Sequence, residues 1–196
     1  MEQNLPRNDR KRLVVGMSGA SGSVLTITLL QLMKALPDWE THLVISKGAK
    51  ITLAHETEYT LSQVEALADY TYDINDYGGK IASGTYRTEG MVIIPCSMKT
   101  VAGIASGYSD NLLLRAADVT LKERRKLVLV PRESPLSTIH LRNMLTLAEA
   151  GAYIMPPVLP YYSNVSSLED MNLQILCKVL DKFDISISGF HRWGEE

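Results

Sequence analysis

The strongest constraint on this chain is an alternation. Short runs rich in Val and Ile, at residues 13–15, 42–45, 91–95, 127–130 and 152–155, are separated by longer stretches whose apolar residues recur with helical spacing. Parallel strands need long crossovers, usually helical, and strands covered on both faces read as unbroken apolar runs. The pattern therefore predicts an α/β protein: a Rossmann-like (flavodoxin-like) doubly wound parallel sheet with helices on both faces and right-handed crossovers. Helices are expected over 23–36, which stops at Pro37, and over 48–55, 97–106, 111–122, 137–150 and 167–183.

Two segments interrupt the rhythm: 69–88, dense in Tyr, Gly and Asp, and 155–164, which carries three prolines in MPPVLPYYSN. Neither separates independently patterned halves, and 196 residues suit one well-buried core, so both are expected to be functional loops of a single domain. That domain is expected over 12–196, behind a basic flexible tail at 1–11 to which Arg7, Arg10 and Lys11 belong and which Arg12 borders. A formal net charge of −2, with both signs interspersed, argues against nucleic-acid or membrane-surface partners and for a small ligand. Cys96 and Cys177 lack CxxC spacing, and no apolar run has the length of a signal core or a membrane span, which points to the cytoplasm. The four histidines show no metal-ligand spacing, so no metal is expected.

In an open parallel sheet, ligands bind beyond the carboxyl ends of the strands, where helix N-termini aim free N–H groups at anions. The stretch GMSGASGS, residues 16–23, follows the first strand and opens the first helix. Its glycines permit close approach of backbone to a ligand, and Ser18, Ser21 and Ser23 offer hydroxyls to phosphate. Its GxxGxxG spacing fits neither the dinucleotide fingerprint, the P-loop nor the nucleophile elbow, and a plain Ser/Gly helix cap would look similar. PCSMKT places Ser97 and Lys99 at a second strand end, and VPRES places Arg132 and Glu133 at a third. Arg115, Asp118 and Lys122 share one helix face, which unaided reads as a solvated ion ladder. Tyr162 follows Pro160 in the second irregular loop, and Lys178 borders an apolar helix stripe, where snorkelling is the ordinary explanation.

Taken in order, GMSGASGS, ISKGA, the unbroken block GMVIIPCSMKT through LTLAEAGA, PYYSNVSSLED and the terminal RWGE closely resemble the flavin prenyltransferase family, the UbiX/Pad1 proteins. That family includes the small proteins associated with hydroxyarylic acid decarboxylases. The resemblance implies transfer of a dimethylallyl group from dimethylallyl monophosphate to N5 and C6 of reduced FMN, yielding prenylated FMN for a UbiD-type decarboxylase. It also implies a homo-oligomer, a dodecamer with sites between its protomers. By motif, Gly19, Ala20, Ser21, Ser46, Ser97, Met98, Lys99, Thr100 and Arg132 correspond to FMN contacts. Tyr162 and Lys178 correspond to prenyl-phosphate contacts, Arg115, Lys122 and Glu133 to further polar positions of the active site, and Tyr77 and Trp193 to aromatic walls. Many relatives have Arg at the place of Lys178, which substitutes a point charge for a bidentate fork.

On this resemblance Ser21, Arg115, Lys122 and Lys178 would neutralise the leaving phosphate without a metal, and Tyr77, Tyr162 and Trp193 would wall the allyl group. Either Glu133 or the departing phosphate would take the flavin C6 proton. Three alternatives remain in the sequence, the last of them a generic nucleotide-binding module, which the ordered match of all three anionic-ligand motifs to one family weakens. A cysteine decarboxylase of the same fold class would carry an Asn-containing motif where this chain has PCSMKT. A non-catalytic FMN carrier or assembly subunit of a decarboxylase would bind FMN without needing Glu133, Lys122 or Tyr162.

Overall fold

The computed structural model describes residues 10–163, 165–190, 192 and 194. Strands β1 (Lys11–Met17), β2 (Trp39–Ile45), β3 (Tyr70–Tyr72), β4 (Gly90–Cys96), β5 (Lys126–Pro131) and β6 (Tyr153–Ile154) pair in parallel, in the order β3-β2-β1-β4-β5-β6. This is the strand order of dinucleotide-binding folds; without the three-residue β3 it reduces to the flavodoxin order. The helices are α1 (Ser23–Lys34), α2 (Lys47–Glu56), α3 (Leu61–Glu65), α4 (Met98–Ala105), α5 (Leu112–Lys122), α6 (Thr138–Glu149) and α7 (Leu168–Leu180).

Side chains alternate across the sheet as a pleated strand requires. Leu13, Val15 and Met17 of β1 join a core with α1, α2, α3 and α7, while Val14 joins a second core with α4, α5 and α6. The sheet is thus covered on both faces, as the alternation predicts. Helix α6 is the exception to full coverage: it buries Met144 and Leu147 but exposes Ile139, Leu141 and Leu145, with Ile139 at 66%.

Three features differ from the sequence expectation. Strand β3 lies inside the segment expected to be irregular, where exposed Tyr70 and Thr71 and half-buried Tyr72 give no apolar alternation. Helix α3 is too short for a periodic signal and rests on a capping box between Thr60 and Gln63. The basic cluster is no loose tail at its inner end, because β1 starts at Lys11. Arg12 Nε donates to Glu40 Oε1 at 2.7 Å, Arg10 pairs with Asp69 and Glu40, and Lys11 lies over the Trp39 ring.

That pairing belongs to a polar network at the β2–β3 edge, centred on His42, which is 0% exposed. Its Nδ1 lies 2.8 Å from the Tyr72 hydroxyl, its Nε2 is 3.3 Å from Glu40 and 3.2 Å from the Tyr86 hydroxyl, and its ring stacks on Tyr70. Burial drives the His42 pKa below its ordinary value, against the pull of Glu40. The network ties β3 and Tyr86 to β2, and so anchors both ends of the loop between them.

The order reverses between β1 and β4, whose neighbours run away in opposite directions, and the crevice at this boundary is where the fold places a ligand. Ser18 holds the boundary together. Its hydroxyl donates to Pro95 O (3.1 Å) and accepts from Ser97 N (2.7 Å), and its own N–H donates to Pro95 O (3.2 Å). At 1% exposure this side chain joins β1 to β4, so it is not available to a phosphate as the sequence suggested.

Candidate functional site

A cavity of about 440 Å³ opens at the carboxyl ends of β1 to β4, within the range of small-ligand sites. One wall comes from segments that end strands and begin helices: Gly19, Ser46, Lys47, Gly48, Ser97, Lys99 and Thr100. Ser46 caps α2 by accepting from Ala49 N, and Ser97 caps α4 by accepting from Thr100 N. Those caps fix two helix N-termini beside the cavity, and the first-turn amides of such helices favour an anion. The opposite wall is apolar, from Ile74, Leu113 and Leu114, with Asn75, Asp110 and Asn111 between. A cavity with cations and hydroxyls at one wall and apolar side chains at another fits a phosphorylated aromatic ligand such as FMN.

Gly19 meets this wall as closely as backbone permits. A Cβ there would stand 2.9 Å from the carbonyl carbon of Gly48 and 3.0 Å from its Cα. The glycine is therefore required by backbone-to-backbone packing as well as by ligand approach.

The N-terminus of α1 behaves differently. Its N-cap, Gly22, has φ 116° and no side chain to cap with. Glu56, the last residue of α2, supplies the cap: its carboxylate accepts from Gly22 N at 3.0 Å and Ser23 N at 2.8 Å. Partial burial raises the Glu56 pKa, but hydrogen bonds from the Ser21 side chain, from Ser23 and from the Gly22 amide outweigh it and hold the carboxylate below its ordinary value. At the end of the opening Ser/Gly loop the Gly22 and Ser23 amides are thus engaged by a carboxylate. Glu56 had no signal in the sequence, because its partners lie more than thirty positions away.

The other candidates fall into separate places. Ala20 and Met98 are buried, with Met98 packed in the core that α4 shares with α5 and α6. Arg132 N donates to Cys96 O (3.1 Å), which sets Arg132 beside the PCSMKT turn, while Glu133 is exposed and accepts from Ser134 N. Arg115 donates to Ala82 O and pairs with Asp118 at 2.6 Å, and Lys122 pairs with Glu123, all on the outer face of α5. The Tyr77 hydroxyl donates to the Asp110 carbonyl, buttressing the cavity wall from outside. Tyr162 and Lys178 line a second cavity of about 480 Å³, between the 155–162 loop and α7, with Pro156, Val158, Ile175 and Phe190. The two cavities share no lining residue among the described residues. Trp193 lies outside the described residues.

Fold and cavity together define a flavoprotein, and residues 2–182 match the Flavoprotein family. Flavin prenyltransferase LpdB of Lactiplantibacillus plantarum is 53% identical over 183 residues, covering 93% of this chain and 98% of the relative. Flavin prenyltransferase UbiX of Escherichia coli K12 is 52% identical over 185 residues, with the same coverages. Among solved structures, AnUbiX in complex with FMN and dimethylallyl pyrophosphate superposes with a TM-score of 0.93 at 51% identity, covering 95% of this chain and 99% of that one. A dodecameric FMN-dependent UbiX-like decarboxylase from Escherichia coli O157:H7 gives 0.92 at 49%, covering 94% and 100%. Peptidyl-cysteine decarboxylase EpiD, at 18% identity and a TM-score of 0.60, covers 77% of this chain and 83% of that one and shares the fold alone. The chain belongs to the UbiX-like flavin prenyltransferase family.

Proposed function

We propose that this protein joins the dimethylallyl group of dimethylallyl monophosphate to N5 and C6 of reduced FMN, and that the prenylated FMN it releases serves a UbiD-type decarboxylase. The observation that carries the reading is the 440 Å³ cavity at the β1/β4 boundary, with its hydroxyl and lysine wall opposite an apolar one, in a chain of this family. Bound there, reduced FMN supplies the nucleophilic N5 and the C6 that closes the new ring. Ser46, Ser97, Lys99 and Thr100 hold the flavin's phosphate end, and Ile74, Leu113 and Leu114 exclude water from the ring.

Glu56, held below its ordinary pKa, caps the α1 N-terminus as an anion, and either Glu133 or the departing phosphate accepts the C6 proton.

Arg115, Lys122, Tyr162 and Lys178 are assigned to the donor's phosphate and allyl group. Within one chain they stand apart from the flavin cavity, so the reading requires that neighbouring protomers carry them to it. Exposed Ile139, Leu141, Leu145 and Val158 near the β6 edge provide apolar surface for that association. No helix among the described residues is long and apolar enough to cross a membrane, and both cysteines are free and buried, in keeping with a cytoplasmic location.

The test is anaerobic incubation of the purified protein with reduced FMN and dimethylallyl monophosphate, followed by mass spectrometry of the extracted flavin. A flavin heavier by one prenyl group is expected. FMN recovered unmodified with every allylic phosphate donor offered would leave only the carrier reading.

A further inference from the structure

Lys47 is absent from every assignment made so far, yet it is the first residue of α2 and lines the flavin cavity. Its backbone is held by the Gly19–Gly48 packing, since Gly48 follows it directly and touches the loop after β1. No carboxylate among the described residues forms a salt bridge with Lys47 or with Lys99, the other cation on this wall. The two lysines sit in the first turns of α2 and α4, beside the caps of Ser46 and Ser97. Asp110, the single acidic residue lining the cavity among the described residues, precedes α5 instead.

We infer that Lys47 is the residue that makes this site selective for a flavin carrying a phosphomonoester over the same flavin without one. The inference rests on the flavin reading above. A phosphomonoester near neutral pH carries about 1.5 to 2 negative charges, more than a single lysine neutralises. Two lysines approaching from different helices match that charge, whereas a neutral ribityl terminus gains nothing from either. Lys47 is a positioning residue on this account: it fixes the phosphate end, and with it the depth at which the flavin ring enters between Ile74, Leu113 and Leu114.

The experiment compares FMN with riboflavin by fluorescence titration of the wild type, Lys47→Met and Lys47→Arg, each at low and high salt. Lys47→Met should weaken FMN about tenfold, the loss of one charge-assisted contact, and leave riboflavin unchanged. Its FMN affinity should also depend less steeply on salt, and Lys47→Arg should retain most of the preference. Equal weakening of both flavins, or an FMN preference undiminished in Lys47→Met, overturns the assignment while the flavin reading stands. A wild type that binds neither flavin removes the flavin reading and this inference with it. A far-ultraviolet melt of each variant identifies any that fails to fold, and for such a variant the comparison moves to Lys47→Gln.

Discussion

Removing a single buried hydroxyl at Ser18 should loosen the whole β1/β4 boundary. In Ser18→Ala, Pro95 O keeps the N–H of residue 18, but the bond from the hydroxyl is lost and Ser97 N loses its acceptor. One lost hydrogen bond costs about 1 kcal/mol, and leaving a partly buried N–H unpaired costs a further ~1–3 kcal/mol. The sum, roughly 2–4 kcal/mol, corresponds to a fall in Tm of about 4–16 °C for a domain of this size. Flavin-free protein should be unfolded in urea at fixed protein concentration, since ligand and assembly both shift the apparent stability. FMN affinity should fall as well, because Ser97 caps α4 and lines the cavity. A Ser18→Ala protein within about 0.5 kcal/mol of wild type, the ordinary range for a surface substitution, would refute the role given to this hydroxyl.

Three further outcomes are expected. Gly19→Ala drives a Cβ against the backbone of Gly48, which cannot rotate away, and should cost about 1–3 kcal/mol together with FMN affinity, both read from the same titrations. Acidification should destabilise the fold: His42 is held below its ordinary pKa, so just below pH 6.5 the unfolded chain binds a proton the folded one refuses, and stability present above that value is lost as pH falls. Glu40 and Asp69, whose pKa values are lowered, extend the loss to lower pH; a urea midpoint that holds or rises from pH 7.5 to 5.5 would contradict this. Mixing inactive Arg115→Ala and Lys178→Ala proteins under verified exchange of protomers should restore some product formation, and no recovery would mean that each site draws both residues from one chain.

Much of the fold was legible because it rests on local signals. Apolar runs marked β1, β2, β4 and β5, and Ser or Asn caps bounded α2, α4, α5, α6 and α7 to within a residue or two. Strand β3 was not legible, since Tyr70–Tyr72 is held by stacking on His42 and pairing with β2 rather than by its own pattern. At the site, Ser46, Ser97, Lys99 and Thr100 could be read from their places at strand ends. Glu56, Asp110 and the consumption of the Ser18 hydroxyl could not, because each depends on a contact between segments far apart in sequence. The resemblance supplied Arg115, Tyr162 and Lys178, whose own neighbourhoods mark them as ordinary surface or pocket residues.

The two cavities occupy different faces of the same chain, one beside α5 and the other beside α7. A contact that carries the second cavity of one copy to the first cavity of another is head-to-tail, joining unlike surfaces. Such contacts have only two fates: they close into a ring after a fixed number of copies, or they continue as a filament. The angle between the two faces decides which.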